Sequence, residues 1–437
     1  MQPRRLYFLA RLSCPRLPFP AGIWYHSNMN VKSFVGAAVA ALLAGCAALS
    51  HNTVEKTVKV SSGAEIQAAI DAVACAGGGK VIVPAGRYEV GSIRLRSGVE
   101  LNLAEGALLL GSTRCEDYFS FPEEVCAIRP ENSSRVLIYA WDEHDVAITG
   151  KGVIDCQGPT FFDKTKFAYG GSFFWAKPPC ERPRIVQLVH CRGVRLEGVT
   201  FKDSPGWTML IRQCEDVAVD GIRVMANQHM INSDGIDFDG CRHVRVTRSR
   251  FKTGDDCLIT RAMRDPNRDE RVICEDMVVT DCELDSACQC IRMGCPSDDT
   301  IRDVTFRNVK CRGHNGIYFN YPARYLRSDD EGYMDIRNCV FENFTGEFTG
   351  SAIQIDAEAG VKLRAVKDIT FRNFDVKSRR PLRFVGNVHT RFENVVFDNV
   401  TVNGERQKDG EVDGQYTEAG PLKRVHVSWE TKRQKRP

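Results

Sequence analysis

The sequence predicts an all-β fold: a single-stranded, right-handed parallel β-helix with a short capping helix at its amino-terminal end. The first observation is a recurring unit. It reads apolar, any, apolar, any, a frequent Asn or Gly, apolar, any, apolar. Copies occupy residues 194–201, 217–224, 244–251, 277–284, 304–311, 369–376 and 395–402, with a weaker one at 339–346. The second observation is the spacing of 23 to 35 residues between copies. One coil of this length cannot bury its inward face alone, but stacked coils can. The third is what the unit lacks. A leucine-rich solenoid needs a Leu and Asn signature that is absent, and a β-sandwich needs no unit returning at one phase.

The elements follow in order. Residues 64–74 read as an amphipathic helix, with Ile66, Ile70 and Val73 on one face. Gly77, Gly78 and Gly79 end it. Residues 81–83 and 93–95 read as strands on either side of the Pro84-Ala85-Gly86 turn, and 99–103 and 107–110 continue the pattern. Each later copy holds two short strands kinked at Gly or Asn. Stacking gives about ten to twelve coils. The predicted organisation is an upstream extension plus leader at 1–45, a short linker at 46–59, a parallel β-helix domain at 60–404 and a charged tail at 405–437.

Within 1–45, Met29 opens a secretory-like leader, Lys32 supplies the positive region, and residues 35–43 form a short apolar run. Leu43-Ala44-Gly45-Cys46 resembles a bacterial lipoprotein box, with Cys46 as the lipidated residue. The expected location is the bacterial cell envelope, as an outer-membrane lipoprotein or in the periplasm; plain secretion is the alternative. No stretch reaches the length of a membrane-spanning helix.

Composition excludes other classes. The 437 residues are 43% hydrophobic and 26% charged, which is globular. The net charge of +3 implies no polyanion-binding field, so nucleic acid is not an expected partner. The 18 cysteines are numerous for an oxidising compartment. Several, including Cys191, Cys214 and Cys241, fall at one phase of the repeat, where a small apolar side chain fills the same slot in successive coils. Some neighbours are candidates for disulfides, and the Cys288, Cys290 and Cys295 spacing has no evident further zinc ligand.

Acid concentrates in two segments. One is Asn232-Ser233-Asp234-Gly235-Ile236-Asp237-Phe238-Asp239; the other is Gly254-Asp255-Asp256. Asp234 and Asp255 are nearly one coil apart, so stacking brings Asp234 beside Asp255 and Asp256 on an outer face. Ile236 and Phe238 should fill the core while Asp237 and Asp239 face out. Three neighbouring carboxylates suit glycosidic hydrolysis, where one protonates the leaving oxygen and another activates water. A hard cation site or plain turn capping are the alternatives.

The repeat together with these two acidic motifs resembles glycoside hydrolase family 28, the polygalacturonase group, whose fold is the pectin-lyase-like solenoid. Gly150-Lys151-Gly152-Val153-Ile154-Asp155, Arg182-Pro183 and Ser204-Pro205-Gly206-Trp207 are also similar to family segments. The resemblance implies an inverting glycosidase with Asp255 as general acid. Asp234 and Asp256 would activate water, with Asn232 orienting the cluster. It implies no metal or organic cofactor, a plant or algal cell-wall polysaccharide or oligosaccharide as substrate, and a monomer.

The sequence also departs from the family. Gln289 stands where a Gly-His-Gly histidine is usual. Tyr318 and Asn320 stand where Arg-Ile-Lys is usual. The substrate carboxylate is therefore expected to meet Arg261, Arg292 or Arg324 instead; the alternative is a neutral sugar stacked on Tyr318. His314 is a candidate for the missing histidine and Trp207 for a sugar platform. The same scaffold also serves polysaccharide lyases, identified by unsaturated products, and surface glycan-binding β-helices without catalysis. Retention of all three acids speaks against the latter.

Overall fold

The computed structural model describes residues 57–267, 270–295, 297–321, 334–357, 363–385, 391–406 and 410–415. The leader, Cys46 and Arg324 lie outside the described residues, as do most of the linker and residues 416–437. The chain from Glu55 onward forms one compact unit. It is a right-handed parallel β-helix.

Helix Glu65–Cys75 buries Ile66, Ala69, Ile70 and Val73 against the first coil. The repeat then stacks in register. Val194, Val217, Val244, Met277, Val304, Cys339, Ile369 and Val395 pair in succession along one parallel sheet. Two residues further along each copy, Phe306, Phe341, Phe371 and Phe397 form a stack with centroids 5.4, 5.3 and 5.2 Å apart. All four are buried, so truncating one to Ala costs about 3–5 kcal/mol.

The kink residues have a physical reason. Asn308, Asn343, Asn373 and Asn399 adopt left-handed backbone, which Asn tolerates because its short side chain bonds locally. Their amides form a ladder across coils: Asn343 donates to Asn308, Asn373 to Asn343 and Asn399 to Asn373, at 2.9–3.0 Å. Cys191, Cys214, Cys241 and Cys274 occupy one buried corner, where the Cys191 N–H points at the Cys214 sulfur 3.4 Å away. Strands Glu405–Arg406 and Gly410–Gln415, at the start of the predicted tail, fold back antiparallel on strand Arg391–Val402.

Two insertions, residues 112–134 and 156–183, rise beside one sheet, and the Cys115–Cys180 disulfide ties them together. They explain a difference from the expected pattern. Asp237 and Asp239 do point away from the coil interior, yet both are fully buried. Apolar clusters outside the coil interior, one with Phe121 and Ile128 and one with Phe162 and Trp175, accompany the insertions. Trp175 therefore anchors its insertion, whereas Phe173 remains exposed.

Candidate active site

The acids sit where successive coils turn into strands Ile236–Asp239 and Leu258–Arg261, which pair in parallel. Asn232, in left-handed backbone, opens the first turn. Its amide donates to Asp255 at 3.4 Å, and its oxygen accepts from Arg182 at 3.1 Å. Arg182 also donates to the carbonyls of Ile231 and Pro205, so the Arg182-Pro183 pair fixes two neighbouring loops. Gly235 is required because an added Cβ would lie 2.1 Å from the Cys257 carbonyl oxygen. The two acidic turns are that close.

Asp234, Asp255 and Asp256 line one cavity of about 430 Å³, with Asn232, Trp207, Arg261 and Arg292. Loop residues from Ala127 to Asn132 close one side of it. Arg292 donates to Asp256 at 3.1 Å and to Asn320 at 2.8 Å; Asn320 donates in turn to the Tyr318 hydroxyl at 2.8 Å. Tyr318 and Asn320 thus act on the cavity through Arg292. The Gln289 N–H donates to Asp256 at 3.2 Å, while its buried side-chain oxygen has no donor among the described residues.

Electrostatics separate the acids. Asp255 keeps some surface open to the cavity, but protein encloses its other sides. Burial, reinforced by the adjacent Asp256 charge, pushes it up to about 7; Arg292 and the Cys288 thiol oppose the rise. Burial also raises Asp234, again helped by the Asp255 charge. Asp256 instead faces the Arg292 cation. The site therefore offers a proton donor near neutral pH beside a carboxyl group held by a guanidinium, the pairing that hydrolysis needs.

His314 lies elsewhere. It lines a second groove, with its Nδ1 3.0 Å from the Thr349 hydroxyl. The pairing shifts register between Ser286 and Gln289, leaving His314 opposite the Ala287-Cys288 turn rather than opposite Gln289. Trp207 is nearly buried, with the Arg261 guanidinium 4.3 Å from its ring centroid. This partly covered ring is a wall of the cavity more than an open platform.

Several residues escaped sequence reasoning. Asp237 pairs with Arg261 beneath the cavity, and burial pushes it up to about 7 against that cation. Its place in the first acidic motif was the available signal. Glu131 lines the cavity and meets Arg182 at 3.6 Å. Cys295 lines it too; its spacing from Cys288 and Cys290 had drawn notice only as a zinc pattern. The Cys288 sulfur and oxygens of Asp255 and Asp256 lie within 4.8 Å of one another, which is metal-like spacing. Arg292 against Asp256 disfavours a cation there. Cys290 turns into the core instead.

Residues 79–265 match the family model for glycosyl hydrolases family 28. The likeness to that family is confined to this segment. The acidic turns, Arg182-Pro183 and Trp207 all fall inside it. A Vitis vinifera protein named "Probable polygalacturonase" is 28% identical over 198 residues, covering 43% of this chain and 37% of its own. The exo-poly-alpha-D-galacturonosidase of Dickeya chrysanthemi is 28% identical over 235 residues, covering 44% and 38%. The chain thus spans under two fifths of the length of these two relatives. The crystal structure of a Thermotoga maritima exopolygalacturonase superposes with a TM-score of 0.64 at 20% identity, covering 84% of this chain and 96% of that one. At that identity the likeness establishes the fold.

Proposed function

We propose that the protein is an inverting glycoside hydrolase that cleaves O-glycosidic bonds in pectic or related acidic polysaccharides. The observation that carries this reading is the division of labour on the cavity floor. Asp255 holds its proton near neutral pH, while Asp256, one residue on, is held by Arg292. Asp255 protonates the leaving oxygen; Asp256 takes the proton of the water that attacks the anomeric carbon from the opposite face, and Asp234 helps to position that water. The names of the galacturonide-cleaving relatives support a galacturonate-containing substrate. Arg129, Arg261 and Arg292 line the cavity and give it a basic wall, Arg129 being the one not paired with an aspartate of the site.

A lyase reading is less well supported, because two of the guanidinia that line the cavity are each committed to an aspartate, Arg261 to Asp237 and Arg292 to Asp256. Incubation with oligogalacturonides decides. Hydrolysis gives saturated products whose new reducing ends carry inverted anomeric configuration by proton NMR. Unsaturated products, or retention, overturn the proposal.

We further infer a monomeric envelope lipoprotein anchored through Cys46. The Leu43-Ala44-Gly45-Cys46 segment after its apolar run supports this. No helix among the described residues is long and apolar enough to cross a membrane. Intact mass of the membrane-fraction protein tests it; an unmodified Cys46 overturns it.

A further inference from the structure

A second groove, of about 630 Å³, runs along the turns on the carboxy-terminal side of the acids. It is continuous with the catalytic coil. The Ser286 hydroxyl donates to the Asp255 carbonyl at 2.6 Å, and Gln228 donates to the Thr253 carbonyl at 3.3 Å. From Ser286 the turns stack through Gly313, Phe348 and Ser378, and Asn403 then accepts from the Ser378 N–H at 2.9 Å. Five turns at about 4.8 Å per coil span about 19 Å. That length suits an extended oligosaccharide rather than one sugar.

Charge in the groove is unbalanced. Its two acids already have cations: Asp285 pairs with Arg312 at 2.5 Å and Glu347 with Lys377 at 2.7 Å. Arg379 also lines it, exposed, with no acidic partner among the described residues. Arg380 follows, also exposed, and its positive charge reaches His314, whose pKa is lowered first by burial and then by this cation. At the opposite end stands Phe173, 46% exposed, its ring held 4.6 Å from His229. An exposed ring at one end and uncompensated guanidinia at the other match the two faces of an acidic sugar chain, its apolar C–H face and its carboxylates.

We infer that this groove is an accessory binding site for an acidic oligosaccharide, gripped by Arg379 and Arg380 and stacked on Phe173. The ligand is a further stretch of the anionic polysaccharide whose cleavage was proposed above, and the inference rests on that reading for its substrate class. The site would favour long chains over short ones.

The test is calorimetric titration of Asp255→Asn protein, which binds without turning over, with a long oligogalacturonide, a short one and a neutral xylo-oligosaccharide. Adding Arg379→Ala and Arg380→Ala should weaken long-chain binding about threefold per guanidinium and about tenfold together, with a shallower salt dependence. Phe173→Ala should weaken it roughly fivefold. Affinity for the long chain that is unchanged in both variants, or no tighter than for the short chain in the parent, overturns the inference. Cleavage assays on the wild-type protein report separately on the catalytic reading. Long-chain binding that depends on Arg379 in a protein cleaving no galacturonide would leave the groove standing and the catalytic reading refuted.

Discussion

Replacing Asp255 by Asn separates catalysis from folding in one residue. The amide keeps the size of the carboxyl group, but its N–H is far too weakly acidic to protonate a leaving oxygen. General acid catalysis contributes about 10²–10⁴ in rate, so kcat for polygalacturonate should fall by about 10³. Stability should move the other way. Asp255 is pushed up to about 7, first by burial and then by Asp256, from an unfolded value of about 3.9. A carboxyl group raised on folding contributes stability that is complete below the unfolded value and is lost as pH rises through the folded one. The wild-type protein therefore loses at most about 4 kcal/mol between pH 4 and pH 7 through this group. The Asn variant lacks that loss. It should melt a few °C higher than wild type at pH 8 and no higher at pH 4. The wild-type kcat/KM should decline as pH passes 7 and the acid loses its proton. Reducing-end release and thermal melts across pH measure both effects. A variant that keeps more than a tenth of wild-type activity, or whose melting temperature tracks wild type at every pH, refutes the assignment of Asp255 as a buried acid.

Arg292→Ala should be worse for the fold than Asp255→Asn, because it strands Asp256, which is 3% exposed, without its cation. Breaking such a pair costs about 3–5 kcal/mol. Since Arg292 also opposes the rise of Asp255, the alkaline limb of any residual activity should move to higher pH; melting curves and pH–rate profiles check the two effects. Cysteine chemistry gives an independent test of the coil stack. Leaving aside Cys14 and Cys46, thiol titration of denatured, unreduced protein should find fourteen free thiols and one disulfide. In native protein Cys75, the exposed one, should react first.

What the sequence revealed depended on whether a contact repeats. The coil was legible because each copy places an apolar residue in the slot occupied by its predecessor, from Val194 through Val395. The acid cluster was legible because Asp234 and Asp255 lie about one coil apart. The covered outer face was not, since its burial depends on two insertions that follow no repeat, joined by Cys115–Cys180. His314 was misplaced for a related reason: one extra residue in the Ala287-Cys288 turn shifts the register, and phase counting does not see such a shift. Yet part of the hidden face obeys the repeat. Arg212, Asp239 and Arg261 pair in successive strands, and Arg212 and Asp239 are fully buried. Within this column Arg212 neutralises Asp239, while Arg261 reaches the neighbouring Asp237 on the adjacent strand, which is how ionised groups survive under an apolar cover. Their separations of 27 and 22 residues look unrelated as sequence neighbours and become register partners once measured in coils. The phase that locates the core in a solenoid therefore also locates its buried ion pairs, provided that charges are aligned on it as well as apolar residues.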